Sequence, residues 1–192
     1  TDVFQGLLML AALIAVPVVV MSGAGGLGGF GDQVRAINPE LLDIFTNASG
    51  ESLSTLQIIS LLGWGFGYFG LPHELARFKA IRSADEVGVA TVIGVSWSFV
   101  GYLMAILVGL CGVVYLANPL ADSERVFIEL TSVIFHPLVA GVLLAAILAA
   151  IMSTVDSQLL VCSSTLAEDL YPMLAKQPLT QEARLKIGRI AV

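Results

Sequence analysis

Three long apolar runs limit what this chain can fold into. Between Val3 and Met21 the only strongly polar residue is Gln5. Val87 to Leu116 carries no charge, and neither does Pro137 to Val155. At about 1.5 Å per helical residue, each run approaches or exceeds the ~30 Å hydrocarbon core of a bilayer. Lipid offers no hydrogen bonds to the backbone, so such runs span it as helices. Charged residues make up only 12% of the chain and hydrophobic ones 57%, against about 25% charged in a typical soluble domain. The expected class is all-α integral membrane.

A fourth uncharged run, Ser52 to Pro72, has a different character, because it contains "GWGFGYFGLPH". Glycine weakens a helix by about 1 kcal/mol relative to alanine and proline by about 3. Gly63, Gly65, Gly67, Gly70 and Pro72 therefore predict an interrupted helix. Discontinuous helices in transporters expose backbone groups to a substrate or ion. Trp64 and Tyr68 are four residues apart and share a side if that turn is helical. Their N–H and O–H groups would suit a small-molecule pocket, but close helix packing explains glycines and aromatics equally well. The expected spans are about 3–21, 54–72, 87–116 and 137–171. The glycine-rich stretch Ser22 to Gly31 reads as a flexible loop, "PELLDIF" as a short surface helix, and "VFIELTSVIF" as a re-entrant or interfacial segment.

Loop charge sets the direction of the spans. Arg35 follows the first span and Arg125 the third, whereas Arg77, Lys79 and Arg82 follow the second and Lys176, Arg184, Lys186 and Arg189 the fourth. Basic residues favour the cytoplasmic side, which places residues 73–86 and those after 171 there. No basic cluster with interleaved aromatics suggests a nucleic-acid partner. No nucleophile–base pair or metal-ligand spacing suggests an enzyme. Cys111 and Cys162 are expected to be reduced. The chain starts at Thr1 and stops within a new apolar run, so truncation at both ends is expected.

The last span carries "AAILAAIMSTVDSQ". Ala150, Ser153 and Thr154 have i, i+3, i+4 spacing and lie on one helix face. Small-residue stripes of this kind serve helix packing, and hydroxyls in helices often bond back to the i−4 carbonyl. Neutral hydroxyls and carbonyls also suit a monovalent cation that must bind and leave. Asp156 lies nearby, and an acid at membrane depth points to function unless it already reaches water. Asp2 is the other acid at that membrane edge.

The segments "GWGFGYFGLPHELARF", "ERVFIEL" and "AAILAAIMSTVDSQLLVCSSTLAEDLY" resemble the sodium:solute symporter family, most closely its proline-transporting branch, and the resemblance covers essentially the whole chain. It implies a LeuT-type inverted-repeat fold, of which this fragment would hold about four core transmembrane helices. It also implies Na⁺-coupled symport of a small solute, L-proline, across the bacterial inner membrane, completed by transmembrane helices outside this segment. The family's sodium ligands fall on the Ala150 carbonyl and the Ser153 and Thr154 hydroxyls. Its proline-binding positions fall on Trp64, Tyr68 and Pro72. Asp2, Asp156 and Ser157 match positions linked to cation coupling or a second cation, and an acid at Asp156 departs from close relatives. The alternatives are another solute (a different amino acid, a carboxylate or pantothenate) or a symporter-like module feeding a sensor.

Overall fold

The computed structural model describes residues 2–47, 49–116, 118, 120–175 and 180–191, without the side chains of Asp2, Phe69, Ala175, Arg184 and Ala191. Its regular elements are all helical: α1 (Asp2–Gly23), α2 (Gly26–Ile37), α3 (Thr55–Gly67), α4 (Pro72–Lys79), α5 (Val87–Tyr115), α6 (Val126–Ile134), α7 (Pro137–Ser164), α8 (Tyr171–Ala175) and α9 (Gln181–Ala191). The one β-type pairing among the described residues is an isolated bridge between Thr46 and Ser52. Among the described residues three helical runs are long and apolar enough to cross a membrane: Val3–Gly23, Ala84–Tyr115 and Pro137–Leu174. The fourth apolar helix, Thr55–Gly67, is shorter than a crossing.

The chain divides into two compact units, Thr1–Trp64 with Gly88–Ala150, and Gly65–Val87 with Ile151–Val192. The first unit packs around Val16 and Val20 of α1, Phe30 and Val34 of α2, Val108 and Cys111 of α5, and Leu130 of α6. A second cluster joins Ala12 of α1 to Leu143 and Ala146 of α7. Small residues set these contacts. A Cβ on Gly112 would collide with Val126 Cγ2, so α6 sits directly against the α5 backbone. On Gly6 it would lie 3.3 Å from the ring of Trp97, so this α5 side chain rests closely on α1.

One local expectation needs correction. The glycine-rich stretch after α1 is not a loop throughout, since α2 begins at Gly26. The turn is confined to Ala24 and the two glycines with left-handed backbone, Gly25 (φ 84°) and Gly26 (φ 82°). Propensity loses here because Phe30 and Val34 bury themselves against α1, and burial of two such side chains stabilises by several kcal/mol. The "PELLDIF" stretch does hold a short helix, of 3₁₀ type over Pro39–Leu42, started by Asn38 Oδ1 accepting from the Glu40 N–H. Asn47 closes the loop beyond it: its Oδ1 accepts from the N–H groups of Ser49 and Glu51, and its Nδ2 donates to Glu51.

In the second unit α7 does not end cleanly at Ser164. It widens into a π-helical turn, Thr165–Leu170, whose last bond runs from the Tyr171 N–H to the Leu166 carbonyl. α9 packs on this turn, with Ser163 Oγ donating to the Gly188 carbonyl at 3.0 Å. The outward faces of the long helices stay apolar; on α5 alone Val92, Ile93, Val95, Phe99 and Ile106 are exposed. A continuous apolar surface of this kind is stable against lipid or other apolar helices rather than water.

Candidate functional site

The interrupted helix is resolved residue by residue. α3 holds α-helical geometry to Gly67, tightens to a 3₁₀ turn over Tyr68–Gly70, and stops at Leu71, whose ψ of 114° is extended. Pro72 then opens α4 from its first position, where a missing N–H costs nothing. The junction is bridged by Leu71 N–H to Tyr68 O at 3.3 Å, and by Glu74 and Leu75 N–H groups to Leu71 O at 3.1 Å. A Cβ built on Gly63, Gly65, Gly67 or Gly70 meets nothing within 4 Å. Among the described residues, then, these glycines have no close neighbour, and what they supply locally is a weakened helix. Trp64 is 76% exposed and Tyr68 48%. Trp64 lies on the last turn of α3, Tyr68 opens the 3₁₀ turn, and Pro72 starts the next helix.

The hydroxyl patch sits inside α7, with unbroken helix on both sides. Helical spacing keeps Ala150, Ser153 and Thr154 on one face. Ala150 and Ser153 are half-buried, and Thr154 and Asp156 are exposed. Ser157 is tied down: its hydroxyl donates to the Ser153 carbonyl at 2.9 Å and accepts from Arg77 Nη2 at 2.9 Å. Arg77 is also 3.3 Å from Glu74 Oε1. Asp2 begins α1, but its side chain lies outside the described residues. Among the described residues no group of three or more His, Cys, Asp or Glu side chains comes together, so oxygen donors on α7 are hydroxyls, carbonyls and the lone Asp156.

Sequence reasoning missed Arg77 and Glu74. They lie in the charged stretch after the break, where their alternating charges read as a solvated helix. The only signal was position: a charged segment fixed immediately beyond a helix break is carried wherever that break is held. Eighty positions separate Arg77 from Ser157, so no local pattern joins them.

The sodium:solute symporter family model matches residues 1–192. The chain belongs to the sodium:solute symporter family. A high-affinity proline transporter of Bacillus subtilis (strain 168) is 44% identical over 195 residues, an alignment covering all of this chain and 40% of that protein. A sodium/proline symporter of Staphylococcus aureus is 46% identical over 198 residues, covering all of this chain and 38% of that protein. The chain thus spans about two fifths of the length of these curated relatives. No solved structure matches the chain significantly. Family membership identifies a multi-pass membrane protein, in agreement with the apolar helices.

Proposed function

We propose that the full-length protein is a secondary active transporter that carries L-proline inward together with Na⁺ by alternating access, making and breaking no covalent bond. The observation that carries this reading is the similarity of the whole chain, at 44–46% identity, to proteins described as proline transporters or sodium/proline symporters. The helix break supports it, because a segment whose α-helix stops at Gly67 and restarts at Pro72 has the discontinuous character that transporters use to offer backbone groups to a substrate or ion. In this reading the fold is of the LeuT type, and helices outside this segment complete both sites. Trp64, Tyr68 and Pro72 face the solute. The Ala150 carbonyl and the Ser153 and Thr154 hydroxyls take Na⁺ as cargo. Asp2, Asp156 and Ser157 tune cation coupling. Residues 73–86 and those after 171 face the cytoplasm of a bacterial inner membrane.

The ion gradient supplies the work. One charge entering through 100 mV releases ~2.3 kcal/mol, on the order of 50-fold accumulation. Na⁺ can drive solute movement only if it binds one conformation better than another, so the two sites must be energetically coupled. The test is uptake by the full-length protein in vesicles, against a panel of labelled amino acids, with and without a Na⁺ gradient. Proline uptake that needs Na⁺ is the expected result. Uptake of a different solute, or uptake indifferent to Na⁺, overturns the reading.

A further inference from the structure

The charged segment after the helix break has a partner on α7 in Ser157, one of the proposed coupling residues. In α4, Glu74 sits in the first turn and Arg77 in the last. Arg77 Nη1 lies 3.3 Å from Glu74 Oε1, which steadies one side of the planar guanidinium fork. The other side reaches out of the helix, where Nη2 donates to Ser157 Oγ at 2.9 Å. Ser157 Oγ in turn donates to the Ser153 carbonyl at 2.9 Å. These contacts run without a gap from the Glu74 carboxylate to the backbone of Ser153, and all four residues belong to one compact unit.

A serine hydroxyl that bonds back to the i−4 carbonyl ordinarily loosens a helix slightly. Here the same hydroxyl accepts from a cation, which polarises its O–H and strengthens the bond it donates. The turn from Ser153 to Ser157 is thereby held from outside its own helix. An oxygen that already faces a guanidinium is also a poor ligand for a second cation, because like charges a few ångströms apart repel.

We propose that Arg77 is a positioning residue for ion coupling: through Ser157 it holds the α7 turn carrying Ser153 and Thr154 in the arrangement that takes Na⁺. The proposal rests on the reading of Ser153 and Thr154 as sodium ligands. Arg77 itself does not touch the ion. Its removal has two opposed effects. Loss of a nearby positive charge favours Na⁺, while loss of the clamp lets the turn relax and disfavours it. The second effect dominates, because the Glu74 carboxylate 3.3 Å from Arg77 already offsets much of its charge.

The test is Na⁺-titrated uptake of labelled L-proline by the full-length protein in proteoliposomes. Arg77→Gln and Ser157→Ala should each raise the half-saturating Na⁺ concentration by about five- to tenfold, the equivalent of one weakened charge-assisted hydrogen bond. The double variant should be no worse than the more affected single variant, because both remove one interaction. Arg77→Lys keeps the charge but not the fork, and should stay weakened toward Na⁺ while its KM for proline at saturating Na⁺ is unchanged. Half-saturating Na⁺ that falls or stays put in Arg77→Gln, or single effects that multiply in the double variant, overturns the proposal. If Arg77→Gln does not reach the membrane, Ser157→Ala decides alone, and an unchanged Na⁺ response there is fatal. Thr154→Ala separates the two layers. A normal Na⁺ response in Thr154→Ala removes the ion-site reading and the clamp with it. A weakened response there, with Ser157→Ala and Arg77→Gln normal, removes the clamp alone.

Discussion

Thr154 and Tyr68 carry the proposed chemistry most directly, one hydroxyl for the ion and one aromatic for the solute. A Na⁺ held by neutral oxygens loses roughly one hydrogen-bond-sized increment when a hydroxyl is removed, so Thr154→Ala should raise the half-saturating Na⁺ concentration about tenfold with normal membrane abundance. Na⁺-dependence curves with abundance measured on the same vesicles check this. Tyr68 offers both a ring face and an O–H, and Tyr68→Ala should raise the KM for proline by about tenfold or more. Labelled-proline uptake at saturating Na⁺ reads that number, and a wild-type KM would remove Tyr68 from the pocket. Both residues were named from the sequence, where local helix spacing left their roles open and the family resemblance singled them out. Arg77 was not, because its bond to Ser157 spans eighty positions and exists only in the folded chain.

At the scale of elements, the helix break and the α5–α6 contact have different physical origins. The break follows from Gly67, Gly70 and Pro72 themselves, and it appears where those residues stand. The α5–α6 contact depends on Gly112 lying against Val126, which nothing in either local sequence announces. Gly112→Ala should destabilise the protein by about 1–3 kcal/mol through overpacking. Val126→Ala in the same chain should restore much of that loss, since it removes the methyl groups the new Cβ meets. Thermal unfolding of the detergent-purified full-length protein checks both variants, and failure of the second change to help would mean that the contact is not what limits stability. The same distinction explains α2. Its glycines argued for a loop, and only the burial of Phe30 and Val34 against α1 made it a helix.

For the whole molecule, the testable quantity is direction. With Cys111 and Cys162 replaced, Ser83→Cys should react with a membrane-impermeant thiol reagent only after the cell membrane is opened, and Ser49→Cys should react on intact cells. The reverse pattern would invert the proposed orientation and place the basic segments outside. The rule behind this prediction uses only Lys and Arg in short loops, which is why it can be applied before any contact is known.

What the amino-acid order determined alone was set by short-range physics and by the solvent. Apolar runs of bilayer length made the chain helical and membrane-bound, glycine and proline placed the break, and helical spacing put Ala150, Ser153 and Thr154 on one face. Tertiary structure decided the rest. It made a helix of the glycine-rich stretch, seated α6 on the α5 backbone at Gly112, widened the end of α7 into a π turn, and joined Arg77 to Ser157. The helix at Phe30 and Val34, the Gly112 contact and the Arg77–Ser157 bond depend on residues that only folding brings together, and for the buried contacts the energies exceed the roughly 1 kcal/mol preferences that local reasoning can weigh.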